Sequence, residues 1–232
     1  MQTTNAKHVE LLEQAKAHYA ADMLLKGTYG DIENGSFKGC SVGCHLFHIH
    51  PDMAAYEIAD LENKHKIVSD YYGYPEWLAL LQDTMFEGLP DGENNKWHVQ
   101  LAEAIAARNG TIDWQETLHR VHIGILRVSY KTAGTAQEAV QRVIDLHERA
   151  ASGEAIGDEL WSAARSAARS AAESAAESAA ESAARSAAWS AAESAARSAA
   201  WSAESARSAA RSAFQEIRDA ILDAITNKSA SV

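Results

Sequence analysis

The sequence predicts an all-α protein: a compact multi-helix N-terminal domain over 1–157, followed by a long Ala/Ser-rich helix over 158–232. The last 75 residues contain neither Gly nor Pro, and most of them repeat Ser-Ala-Ala followed by Arg, Glu or Trp. Upstream, apolar residues recur at three- to four-residue spacing, and period-two alternation with β-branched enrichment is scarce. Glycines fall between these periodic segments, where helix stop signals belong.

Taken in order, Asn5 or Thr4 caps a first helix whose apolar positions are Val9, Leu12, Ala15, Tyr19 and Met23, and Gly27 ends it. A Gly-rich loop follows from Thr28 to Gly43, with Gly30, Gly35, Gly39 and Gly43 inside it. Helices are then predicted near 52–71, 75–87, 94–108, 112–131 and 135–151, with Pro75 at a helix start and Gly73, Gly88, Gly92, Gly110, Gly134 and Gly153 between helices. Val121 to Tyr130 is the stretch that competes as a strand, and Gly124 within it supports neither state. The aromatic run from Tyr71 to Trp77 could stack on a ligand, but Trp77, Leu80, Leu81 and Met85 at helical spacing mark a core face instead.

The C-terminal tract is built from strong helix formers, so one helix is expected from about Asp158 to about Thr226, on the order of 100 Å long if straight. Asp158 is its N-cap, after Gly157. Each four-residue step advances about 40° round the axis, so the variable slot winds and a heptad coiled coil is disfavoured. Trp161, Trp189, Trp201, Phe214, Ile221 and Ile225 still fall within about half the circumference. Slippage of a short coding unit explains the origin of such a repeat, since each insertion adds about one helical turn. Small Ala and Ser side chains also let another helix approach closely while Trp rings anchor it. A protein partner, or self-association through this helix, is the interaction expected.

Charge narrows the classes. The chain carries a formal net charge of −11, of which 1–157 contributes −9 and 158–232 contributes −2. No basic cluster with interleaved aromatics is present, so nucleic acid is not an expected partner, and ordinary acidic solubility is preferred to mimicry of a nucleic acid. No apolar run approaches 18 residues, and no basic segment with an apolar core begins at Met1, so a cytoplasmic protein with no membrane partner is expected. The two cysteines form no disulfide framework and are expected to stay reduced. A Walker loop, Gly-x-Gly-x-x-Gly, Gly-x-Ser-x-Gly and His-Glu-x-x-His are all absent, which leaves nucleotide-cofactor and hydrolase assignments without support.

Chemistry concentrates in Cys40-Ser-Val-Gly-Cys44-His45-Leu-Phe-His48-Ile-His50-Pro-Asp52. Zinc takes Cys and neutral His, and the three residues between Cys40 and Cys44 suit it. Cys40, Cys44, His45, His48 and His50 are therefore the candidate metal ligands, with any remaining ligand supplied by His65, His18 or a carboxylate. On a helix, His45 and His48 share a face; in an extended chain, His48 and His50 do. The competing reading is that the cysteines pack as small hydrophobes beside a tight glycine turn. His48-x-His50-x-Asp52 resembles the His-x-His-x-Asp-His motif of the metallo-β-lactamase fold, but Met53 stands where the last histidine belongs and the surroundings read as helical. A Cys44 nucleophile activated by a helix N-terminus has no identifiable third group. His119 and His122, near Trp114, and His147 beside Glu148 read as ordinary half-buried histidines.

The segments Phe37-Lys-Gly-Cys40-Ser-Val-Gly-Cys44, Pro75-Glu-Trp77-Leu-Ala-Leu-Leu81 and Phe86-Glu-Gly-Leu-Pro90, followed by the Ser/Ala tetrads, resemble uncharacterised bacterial and bacteriophage proteins with a Gly-Cys-x-Val-Gly-Cys segment and an Ala-rich C-terminus. The resemblance implies a phage or mobile-element setting and no particular activity. The expected function is thus a non-catalytic interaction or accessory protein, with a metal-binding or metal-dependent enzyme centred on Cys40–His50 as the alternative.

Overall fold

Helix α1 (Gln2–Ala20) opens the chain and stops seven residues before Gly27, because Asp22 turns into the left-handed region (φ 51°) and Met23 to Leu25 run extended. Leu25 N–H donates to the Gly39 carbonyl and Gly39 N–H to the Met23 carbonyl, so Met23 leaves the helix face predicted for it. The structure, a computed structural model, describes residues 2–167, 169–170 and 195–226. It is mostly helical, as the periodicity predicts.

The Gly-rich loop is more ordered than its composition suggests. It contains an antiparallel hairpin, β1 (Asp31–Glu33) and β2 (Ser36–Lys38), turned by Asn34 and Gly35 at positive φ (52° and 77°). Asn-Gly is the pair that such two-residue turns favour. Phe37 of β2 stacks on Phe47, with ring centroids 4.1 Å apart. Gly43 is there for close approach: a Cβ at that position would sit 1.9 Å from the Tyr29 carbonyl oxygen.

Helix α2 (Ser41–Ile49) follows, capped by Cys40. The helix predicted over 52–71 is two helices, α3 (Ala55–Asp60) and α4 (Lys64–Tyr72), broken where Asn63 adopts φ 54°. Then come α5 (Glu76–Gly88) and α6 (Glu93–Ala106). The core joins Leu11, Leu46, Ile58, Val68, Leu78, Phe86, Trp97, Leu101 and Ile105, all at most 2 % exposed. The buried face of α5 is Leu78, Ala79, Gln82, Met85 and Phe86, whereas Leu80, expected in the core, is 47 % exposed. Gln82 takes that interior place because both ends of its amide find partners there, as described below.

Helix α7 (Trp114–Tyr130) includes the stretch that competed as a strand. A short 3₁₀ turn (Gly134–Ala136) leads to α8 (Gln137–Ala151); residues 158–167 are helical (α9), and α10 spans Ala195–Thr226. The chain divides into two compact units, one built on Met1–Trp114 together with the chain end from Ile225, the other on Gln115–Ala224. The expected boundary after Gly157 falls inside the second. Within that second unit α10 lies against α7 at Gly124, where a Cβ would come 2.6 Å from the Ala220 methyl. Within the first, Arg108 donates to the last carbonyls of α10, Ile225 (2.9 Å) and Thr226 (3.2 Å), as basic side chains do at helix C-termini. The expected Trp189 anchor, and the Trp201 side chain, lie outside the described residues. Among the described residues no helix is long and apolar enough to cross a membrane.

Candidate metal centre

Two elements bring a thiol and two carboxylates together. Cys40 ends the Gly-rich loop and caps α2, its sulfur accepting the Gly43 N–H at 3.4 Å. Asp83 and Glu87 stand one turn apart on α5. One ligand atom from each of the three residues lies within 4.8 Å of the others. The centre grades from a buried thiol, through a half-buried carboxylate, to the exposed Glu87.

The surroundings hold these groups in place. Tyr29 OH donates to Asp83 Oδ2 at 2.7 Å and His65 Nε2 lies 3.0 Å from the same oxygen, while the Cys40 thiol is a further hydrogen-bonding neighbour of the Asp83 carboxylate. The Gly27 N–H lies 3.1 Å from both Glu87 oxygens, which fastens the loop to α5. Burial, and then the neighbouring Asp83, push the Cys40 thiol well above its ordinary range. Without an ion it is therefore a thiol and no nucleophile, despite its place at a helix N-terminus.

The five expected ligands go to five separate environments. Cys40 joins the centre just described. Cys44, one turn into α2, donates its thiol toward the carbonyls of Met23 and Gly39, and burial pushes its pKa up to about 12. His45 faces the interior, with Nδ1 3.2 Å from Tyr72 OH and its buried Nε2 without a partner. His48 reaches the other way to Glu10 at 3.2 Å. That carboxylate, which burial alone would raise, is drawn down to about 2 by hydrogen bonds from Lys7, Tyr71 and His48. His50, the C-cap of α2, keeps a buried, unpartnered Nε2. Of the further ligands considered from sequence, His65 and a carboxylate meet at the Cys40 centre. His18 does not.

His18 belongs to a second polar group inside the same unit. Tyr74 OH donates to Gln82 Oε1 (3.0 Å), Gln82 Nε2 to Ser41 Oγ (2.5 Å), and Ser41 Oγ lies 2.7 Å from His98 Nδ1. His98 Nε2 is 3.2 Å from His18 Nδ1, and the His45 ring completes the cluster, its centroid 4.8 Å from that of His98 and 5.3 Å from that of His18. Burial, aided by neighbouring imidazoles, drives His45 and His98 well below the usual histidine range and His18 to about 4. Ser41 next to a histidine pair has the form of an activated hydroxyl. Yet Ser41 and His45 are 0 % exposed and His98 1 %, so no acyl or phosphoryl substrate reaches the hydroxyl without unfolding the site. The group is a neutral hydrogen-bonded network that specifies the packing of α1, α2, α5 and α6.

Asp83 and Glu87 escaped the sequence reading although they are spaced i,i+4, on one face of a predicted helix. What sequence could not supply was the fold of the loop that carries Cys40 to them. Comparison with protein-family models, with characterised proteins and with solved structures returns no significant match for this chain.

Proposed function

We propose that this protein binds a zinc-class divalent ion in its N-terminal unit through Cys40, Asp83 and Glu87, and so pins the Gly-rich loop to α5. The observation that supports it is the convergence of these three ligand atoms, from two elements, on the two sides of the Gly-rich loop's contact with α5. Thiolate and carboxylate are both zinc ligands, and His65 and Tyr29 orient the Asp83 carboxylate as partners of metal ligands do. Binding replaces the Cys40 proton, so affinity rises with pH. The exposed Glu87 gives the ion a route from solvent.

Cobalt(II) tests this, because a thiolate ligand adds a near-ultraviolet charge-transfer band that nitrogen and oxygen donors do not. The band is expected on adding Co²⁺ to the full-length protein, retained in Cys44→Ser and lost in Cys40→Ser, with Asp83→Asn weakening binding about tenfold or more. A thiolate band that survives in Cys40→Ser, or no band in the wild type, would overturn the proposal.

The C-terminal tract supports a second reading, that of a packing element. The close approach of Ala220 to Gly124 is the kind of contact that small side chains permit, and here the neighbour is the chain's own α7.

A further inference from the structure

The chain contains two Asn-Gly pairs, Asn34-Gly35 and Asn109-Gly110. The fold holds both in nearly the same backbone conformation: Asn34 and Asn109 have φ of 52° and 49°, Gly35 and Gly110 of 77° and 74°. Asn-Gly is the dipeptide least protected against attack of a backbone nitrogen on the preceding side-chain carbonyl, because glycine has no Cβ to shield that nitrogen. Since the two pairs share their chemistry and their backbone shape, their surroundings decide which one reacts.

Those surroundings differ. Asn34 and Gly35 form the exposed tip of the β1–β2 hairpin, and a Cβ on Gly35 would meet no atom within 4 Å. The ladder pairs Glu33 with Ser36, so both tip residues stand outside it, and every residue of β1 is exposed. A two-stranded hairpin with such short strands opens locally at little cost. Asn109-Gly110 is instead a packed turn. Asn109 N–H donates to the Ala106 carbonyl at 3.1 Å, and the Arg108 carbonyl accepts from both the N–H (2.9 Å) and the hydroxyl (2.6 Å) of Thr111. Gly110 lies against α1, where a Cβ would stand 3.4 Å from the Asn5 nitrogen. Opening this turn breaks those contacts together.

We infer that Asn34 is a site of spontaneous deamidation in the folded protein, selected over Asn109 by its place at the hairpin tip. The deprotonated Gly35 nitrogen attacks Asn34 Cγ. The new C–N bond closes a succinimide ring as the Cγ–Nδ2 bond breaks, and the side-chain nitrogen leaves as ammonia. Water then opens the ring: addition at Cγ gives aspartate, and addition at the backbone carbonyl gives isoaspartate, in which the main chain runs through the side-chain methylene. Nothing is oxidised or reduced, and water is the sole co-reactant. The rate rises with pH because the attacking nitrogen must first lose its proton. Either product adds a carboxylate to a hairpin that already carries Asp31 and Glu33. Isoaspartate also lengthens the backbone of a turn whose length sets the register, so the pairing of Glu33 with Ser36 is lost. The hairpin is thus a slow, one-way switch in the loop that leads to Cys40.

The test ages full-length wild-type protein at mildly alkaline pH and follows its tryptic peptides by mass spectrometry. The peptide 27–38 is expected to gain one mass unit and to separate into aspartate and isoaspartate forms, with Asn34 reacting about tenfold or more faster than Asn109 in the same sample. In urea the two pairs should react at similar rates. Amide exchange over 31–38 should rise in the aged folded protein, with 97–105 unaffected. Reaction at Asn34 no faster than at Asn109 in the folded protein, a preference for Asn34 that persists undiminished in urea, or a deamidated product with unchanged exchange over 31–38 would overturn the inference.

Discussion

Acid should unfold the first unit through its own interior, well before its surface carboxylates protonate. His18 is 4 % exposed and held at about 4 by burial, against 6.5 when the imidazole is free. Below pH 6.5 the unfolded chain takes up a proton that the folded chain refuses, so stability falls as pH falls and the loss levels off once the folded pKa is passed. Linkage over that interval gives a cost of about 2 kcal/mol at pH 5 and about 3 kcal/mol at pH 4 for this one residue. His45 and His98 are depressed further in the same sense and add to it. Glu10 acts in a lower window: held down to about 2, it contributes stability above the ordinary carboxylate range and loses it as the pH falls toward its folded value. A typical domain has only about 5–15 kcal/mol of stability, so the histidine cost is a large share of the total. Urea midpoints should therefore fall steeply between about pH 6.5 and pH 4, and His18→Gln should flatten that slope by close to one proton. Midpoints constant from about pH 7 to pH 5 would refute the reasoning, because they would mean that these rings charge in the folded protein as easily as in water.

Other consequences are as direct. Gly43→Ala should cost about 3 kcal/mol or more in thermal or urea unfolding, since its methyl would strike the Tyr29 carbonyl and push the loop off α2; a neutral result would show that the loop gives way freely. Gln82→Leu should cost about 1–3 kcal/mol by leaving Tyr74 OH without its acceptor. The Trp97 indole should keep its bond to the residue 82 carbonyl, so the near-ultraviolet spectrum is expected to stay native. Gly124→Leu should separate α10 from α7 and raise amide exchange over 207–224, with 41–49 unaffected.

Much of the fold was legible because helix boundaries here follow local chemistry. Gly73 and Gly92 sit at helix ends with positive φ, and Pro75 immediately precedes α5, as their backbone preferences require. Departures occurred where tertiary contacts overrode local preference. Met23 keeps helical spacing with Tyr19, yet pairing with Gly39 draws its backbone into an extended strand-like run. Leu80 and Gln82 are the clearest exchange. Hydrophobicity alone would bury the leucine, but an amide with partners on Ser41 and Tyr74 occupies the interior of α5. That choice depends on a hydroxyl 41 residues upstream, which no local periodicity encodes.

The same reasoning separates what was legible in the candidate site from what was not. The Cys40–His50 segment is dense in ligands because consecutive residues of one short helix must point in several directions, so density along the chain becomes divergence in space. A helix of nine residues cannot aim Cys40, Cys44, His45, His48 and His50 at one point; convergence has to come from another element. For Cys40 that element is α5, which offers Asp83 and Glu87 at i,i+4. There the readable sign is a pair of ligand residues spaced four apart, while the completing ligand arrives from a segment whose position only packing decides. Such an i,i+4 pair on a predicted helix therefore marks half of a site, and Cys40→Ser, which removes the completing half, is the substitution that tests whether the pair and the thiol act together.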